Sequence, residues 1–122
     1  MSNSQLTYEK LDVYQCALRF LAVTAQVSDK LPKGNSSILD QLKRASLSIV
    51  LNIAEGCGKP TPKENSRFFS IARGSAMECG AILDACKVLE LAETEILGEG
   101  KNLIVRRAVV LQASIFATQS LA

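Results

Sequence analysis

The run TPKENSRFFSIARGSAMECGAILDACKVL, residues 61–89, decides the fold. It opens on Thr61-Pro62-Lys63-Glu64, a capping box in which the threonine hydroxyl and Glu64 can serve the first unpaired N–H groups of a helix. Proline at the first helical position costs nothing, because its missing N–H would have no partner there. Below the cap, Phe68, Ala72, Ser75, Cys79, Ile82, Cys86 and Leu89 recur by four and three, the spacing of left-handed knobs-into-holes packing. Gly74, Ser75, Ala76, Gly80, Ala81 and Ala85 keep this helix thin. Gly74 and Gly80 each cost about 1 kcal/mol relative to alanine in a helix interior, so a close neighbour is the expected compensation. The pattern predicts a helix over about 62–90.

Working outward, two strong breaks flank further helical stretches: Leu31-Pro32-Lys33-Gly34-Asn35 and Gly56-Cys57-Gly58-Lys59-Pro60-Thr61-Pro62. A weaker break lies around Leu91 to Thr94. Between the first two, Leu39, Leu42, Ser46, Ile49 and Ile53 predict a helix over about 38–55, with Ser36 or Ser37 as N-cap. Gly56 is expected to end it in the left-handed conformation. Upstream, a helix over about 10–30 carries two stripes: Leu11, Tyr14, Leu18, Leu21 and Ala25, and beside it Val13, Cys16, Phe20, Val23 and Val27. A helix with one partner side needs only the first stripe. Downstream, a helix over about 94–119 is weakened at its start by Gly98 and Gly100. It is then apolar on several sides, through Leu103, Ile104, Val105, Ala108, Val109, Val110, Leu111, Ile115 and Phe116. Its β-branched residues also admit a strand reading. The expectation is one all-α domain over 1–122, an antiparallel up-down-up-down four-helix bundle. The apolar excess on its first and last helices points to subunit contacts.

Composition bounds the function. At 122 residues the chain can bury a core without metal or disulfide staples, and 48% apolar with 21% charged is globular rather than disordered. Aromatics are few, and Leu, Ala, Ile and Val dominate. A net charge of +2 makes the whole molecule no magnet for polyanions, so any nucleic-acid surface must be local or built by repetition. Met1-Ser2-Asn3-Ser4-Gln5 does not open a signal peptide, and no apolar run approaches a membrane span, which predicts a cytoplasmic protein. Cys16, Cys57, Cys79 and Cys86 form no C-x-x-C pair and histidine is absent, so neither a metal nor a cofactor is expected. Cys79 and Cys86, seven apart, read as small core residues, and Cys57 as the more exposed thiol. With no histidine to activate Cys57, no nucleophile elbow and no phosphate-binding glycine loop, the chain is expected not to be an enzyme.

The stretch from Gln41-Leu42-Lys43-Arg44-Ala45-Ser46 to Leu51-Asn52-Ile53-Ala54-Glu55-Gly56 resembles the helix-two signature of the bacterial four helix bundle proteins encoded in intervening sequences of 23S ribosomal RNA genes. Phe68-Phe69-Ser70-Ile71-Ala72-Arg73-Gly74-Ser75-Ala76-Met77-Glu78 is similar to that family's helix-three signature, and Tyr8-Glu9-Lys10-Leu11-Asp12-Val13-Tyr14-Gln15 to its N-terminal pattern. The likeness keeps order and spacing over about residues 8–110. It implies a bundle assembled as a homo-oligomeric ring, a pentamer. Some relatives are accessory proteins of retroelements, in which such a ring works with a reverse transcriptase and contacts nucleic acid through a basic surface.

The candidate site follows from local charge. Lys59, Lys63, Arg67 and Arg73 have only Glu64 among them, and Lys63 and Arg67 share a helix face. Repeated around a ring, they would present many cations to RNA or DNA phosphates. No aromatic residue is read as interleaved with them, so base stacking is not expected. The alternative is a solvated face on which Lys63 or Arg67 pairs with Glu64. Lys43 and Arg44 either extend the patch or lie within the assembly, with Glu55 and Glu78 as possible carboxylate partners for Arg44. Asn52 and Glu55 are expected in a polar network that sets packing or subunit register. A protein-interaction or scaffold ring without nucleic-acid binding is the competing function.

Overall fold

The computed structural model describes Tyr8 and residues 11–104. Helix α1 spans Asp12–Lys30, α2 Ser36–Cys57 and α3 Pro62–Val88. Residues 94–104 form a fourth helical segment, and no strand occurs among the described residues. The fold is an all-α antiparallel four-helix bundle. α2 and α3 run in opposite directions: Ser48 bonds Ser75 on one level, and Gly56 meets Phe69 nearer the turn. The fourth segment returns along α3, with Gly100 against Leu83 and Lys101 paired with Asp84 at 2.5 Å. The expected continuation of helix four to Gln119, its apolar faces from Val105 to Phe116 and the strand alternative lie outside the described residues, as does Lys10.

The core is built from one stripe of each helix. Phe20, Val27, Leu42, Ile53 and Leu83 are at most 2% exposed, each burial stabilising by roughly 1.5–3 kcal/mol. In α1 the buried stripe is Val13, Cys16, Ala17, Phe20, Val23, Thr24 and Val27. This reverses the sequence reading: Leu11 and Leu18 are exposed, Ala25 is exposed, and Tyr14 and Leu21 are half-buried. Phe20 is buried against Gly100 of the fourth segment, which makes room for its ring. Thr24 satisfies its hydroxyl on the Phe20 carbonyl, so it is buried without penalty.

α2 buries Leu42, Ser46, Ile49 and Ile53 as the spacing predicts, together with Ala45, Val50 and Gly56. Its N-cap is Asn35, not Ser36 or Ser37. The Asn35 side chain is committed to the Pro32 carbonyl, in a turn where Gly34 takes φ +96°. In α3 the buried face is Ser66, Phe69, Ala72, Ala76, Cys79, Gly80, Leu83 and Cys86. Ala72, Cys79 and Cys86 are as expected, whereas Phe68, Ser75 and Ile82 are only half-buried and Leu89 is exposed. The seam is turned toward Phe69 and Leu83, and Ser75 lies at the α2 edge, bonded to Ser48 at 2.8 Å. Asn52 joins that edge through the Ser48 hydroxyl and carbonyl, so the polar network exists, but exposed Glu55 is not in it.

Among the described residues the thin stretch of α3 makes no unusually close approach at its glycines. Gly74 is exposed, and among the described residues a Cβ added there would have nothing within 4 Å; one at Gly80 would make only ordinary contacts, to Lys101 and Ile104. The tight places are Gly56 and Gly100, the latter buried against Leu83, Phe20 and Val23. Gly100 is therefore a packing residue and not merely a weak first turn.

α3 ends through backbone bonds from Glu90 to Lys87 and from Leu91 to Cys86, with Glu90 at φ 54°. That is the left-handed position of a Schellman stop, normally glycine. Glu90→Gly should raise stability by about 1 kcal/mol, a melting shift of about 4 °C. A thermal melt showing no gain would mean that Glu90 is compensated by another contact.

Candidate nucleic-acid interface

The site is assembled where α2 hands over to α3. A Cβ at Gly56 would lie 2.7 Å from Phe69 Cε1 and 3.1 Å from Phe68 Cβ, so only glycine lets the two backbones come this close. Gly56 is thus inside the helix and buried, not the left-handed stop that the sequence suggested. The helix closes one residue later, with Gly58 N–H donating to the Glu55 carbonyl at 3.1 Å.

The turn is then clamped from α3. Asn65 Nδ2 donates to the Gly56 carbonyl and, at 3.0 Å, to the Lys59 carbonyl. Lys59 N–H also donates to Gly56 O at 3.2 Å. Thr61 caps α3 as predicted, its hydroxyl accepting from Glu64 N–H at 3.2 Å and donating to Glu64 Oε2 at 3.0 Å. These bonds set the Lys59 backbone against the first turns of α3. Its Nζ lies over the Phe68 ring, 4.9 Å from the centroid, and the Arg67 guanidinium carbon lies 5.7 Å from the same centroid. Both distances are within reach of a cation–π attraction.

The cluster is not neutralised. Glu64 accepts from the Thr61 hydroxyl and keeps its charge, so the cluster is net positive, and no carboxylate among the described residues pairs with Lys59, Lys63 or Arg67. The positive end of the α3 dipole adds to the same field. This arrangement can attract and hold an anion, and its salt dependence would follow from counterion release.

The six cations singled out from the sequence do not form one patch. Lys59, Lys63 and Arg67 come together at the α2–α3 turn. Lys43 and Arg44 are exposed near the other end of α2, about 20 Å away at 1.5 Å per helical residue. Arg44 lies instead beside Ser37, Asp40 and Gln41 around a shallow depression. It pairs with neither Glu55 nor Glu78, and eleven residues along one helix put Glu55 about 16 Å from it. Arg73 sits six residues beyond Arg67, on another flank of α3, half-buried with its Nε buried and without a hydrogen-bond partner among the described residues. Phe68 was missed altogether: the four-and-three pattern placed it in the core, yet Phe69 takes that position and leaves Phe68 beneath the cations.

Burial raises Cys57 and Cys86 above the ordinary thiol range, and burial with the Glu78 charge pushes Cys79 up to about 12. Cys16 is buried and accepts from Arg19 Nη2 at 2.7 Å. Among the described residues no group of three or more acidic or thiol side chains is placed to hold a metal ion. None of their helices is long and apolar enough to cross a membrane.

The family model described as 23S rRNA-intervening sequence protein matches residues 9–113. The chain belongs to that family. A comparison with curated proteins gave no match. The match to the 23S rRNA-intervening sequence proteins contains the α2–α3 turn and all six candidate cations, so the site lies within the family's shared domain.

Proposed function

We propose that this 23S rRNA-intervening sequence protein is a non-enzymatic, self-associating bundle. As an accessory protein it presents the α2–α3 basic end to RNA or DNA, beside a nucleic-acid enzyme such as a reverse transcriptase. The observation that carries the reading is the set of Lys59, Lys63 and Arg67 at the α2–α3 turn, with Lys59 and Arg67 over the Phe68 ring and all three left without carboxylate partners among the described residues. A solvated helix face would ordinarily pair its charges; here Glu64 accepts from the capping Thr61 hydroxyl and pairs with none of the three cations. Assembly as a ring, a pentamer by resemblance, would repeat this end several-fold and make a composite surface from a chain of only +2.

Self-association is supported by apolar side chains that the single chain leaves in water. Leu47 and Leu51, four apart on α2, are 45% and 52% exposed, and Ile71 and Met77 on α3 are 42% and 47%. The same residues favour a second reading, a protein-interaction or scaffold ring that binds no nucleic acid. Light scattering of the purified protein, with and without a short RNA–DNA hybrid, separates the two. A ring that gains mass with the hybrid at low salt, and loses it at high salt, is the expected result. A ring indifferent to the hybrid would favour the scaffold, and a monomer would remove the composite surface.

A further inference from the structure

We infer that the α2–α3 turn takes single-stranded nucleic acid, one unstacked base lying on Phe68 while Lys59, Lys63 and Arg67 hold the flanking phosphates. The inference rests on the preceding reading that this end contacts nucleic acid, and narrows it to a class of strand.

Cations alone do not distinguish a duplex from a single strand, because both offer phosphates. An aromatic face does. In a duplex the bases are stacked on one another and cannot reach it, whereas an unstacked base can lie flat on a ring whatever its sequence. The two adjacent phenylalanines divide these tasks. Phe69 is 9% exposed and packs against Gly56, whereas Phe68 is half-buried with its face turned to Lys59 and Arg67. A phenylalanine needed only for the core would face inward as its neighbour does.

The surroundings are prearranged for such a ligand. The close contact at Gly56 sets the root of Phe68, and the Asn65 clamp sets the Lys59 backbone. The side chains of Lys59 and Arg67 end in charges on long stems, so both can swing from the ring to phosphates on either side of an arriving base. Until then their contact with the ring keeps them together without an acid partner among the described residues. Charge complementarity and the half-buried ring beneath the cations thus ask for the same occupant, a flexible polyanion with planar bases.

The test uses the whole chain and fluorescence anisotropy at low salt, with twelve-nucleotide single strands of RNA and of DNA and a duplex of the same sequence. Phe68→Leu, which stays apolar but has no π face, should weaken single-strand binding roughly 5- to 100-fold, the contribution of one stacked base. Duplex binding should stay within about twofold, and Phe68→Tyr should retain single-strand affinity. RNA and DNA strands bound alike, or one of them preferred, both support the inference and identify the sugar. Equal loss on single strand and duplex, or no loss on either, would overturn it and leave the basic surface standing. Absence of binding by the wild-type chain to any strand would overturn both readings. Should Phe68→Leu fail to fold, photocrosslinking of the wild-type chain to a 4-thiouridine-bearing strand decides the question. A crosslink within residues 58–70 is expected, and crosslinks confined elsewhere would contradict the inference.

Discussion

Replacing Lys59, Lys63 and Arg67 together by glutamine should lower affinity for a short nucleic acid by about 100-fold or more at low salt, with the fold intact. All three side chains project from the α2–α3 end, and none makes an ion pair among the described residues that folding would miss. Removing three positive charges from a chain of +2 leaves −1, so repulsion adds to the lost contacts. The variant's circular dichroism should match wild type, and its melting temperature should fall by no more than a few degrees, the loss of two surface cation–π contacts. Neutralising Lys43 and Arg44 instead should cost far less, because they lie about 20 Å along α2 from the turn. If the two variants lose affinity equally, the surface is diffuse, and the turn has no special role.

The second large effect is on stability. Gly56→Val should destabilise the bundle by about 3 kcal/mol, the upper part of the range for overpacking. A valine Cβ would begin 2.7 Å from the Phe69 ring and 3.1 Å from Phe68 Cβ. The ring can tilt, but Phe68 Cβ is tied to the α3 backbone and cannot move without it. A branched residue in a helix also has little rotamer freedom with which to escape. Chemical denaturation measures the loss directly. A near-neutral result would mean that the two helices separate easily at the turn, and the prearrangement of Lys59 and Phe68 would be lost with that contact. By contrast, a Cβ at Gly74 has no neighbour within 4 Å, so the same substitution there has nothing among the described residues to strike.

Helix number, order and the α3 cap were legible in the sequence because each rests on local chemistry. Thr61, Pro62 and Glu64 act within one turn of each other, and the structure forms that cap. Which stripe of α1 enters the core was not legible. Leu18 and Phe20 are both large and apolar, and only the shape of the gap between α2 and the fourth segment selects Phe20. The same holds for Phe68 and Phe69, where a shift of one residue exchanged a core position for a surface one. Gly56 looked like a helix stop because glycine commonly is one; its real reason, the approach of α3, lies thirteen residues away in Phe69. Of the candidate site, the cations Lys59, Lys63 and Arg67 were legible from their scarcity of acids. Their separation from Lys43, Arg44 and Arg73, and the ring beneath two of them, required the third dimension.

The central claim is that the α2–α3 end binds nucleic acid through its unpaired cations, and the salt dependence of the wild-type affinity tests it most directly. Three phosphate contacts per engaged chain predict a log–log slope of roughly −2 on a single strand, steeper if several chains engage, so affinity should fall sharply between about 50 and 200 mM salt. A slope near zero, or no measurable binding at the lowest salt, would contradict the claim.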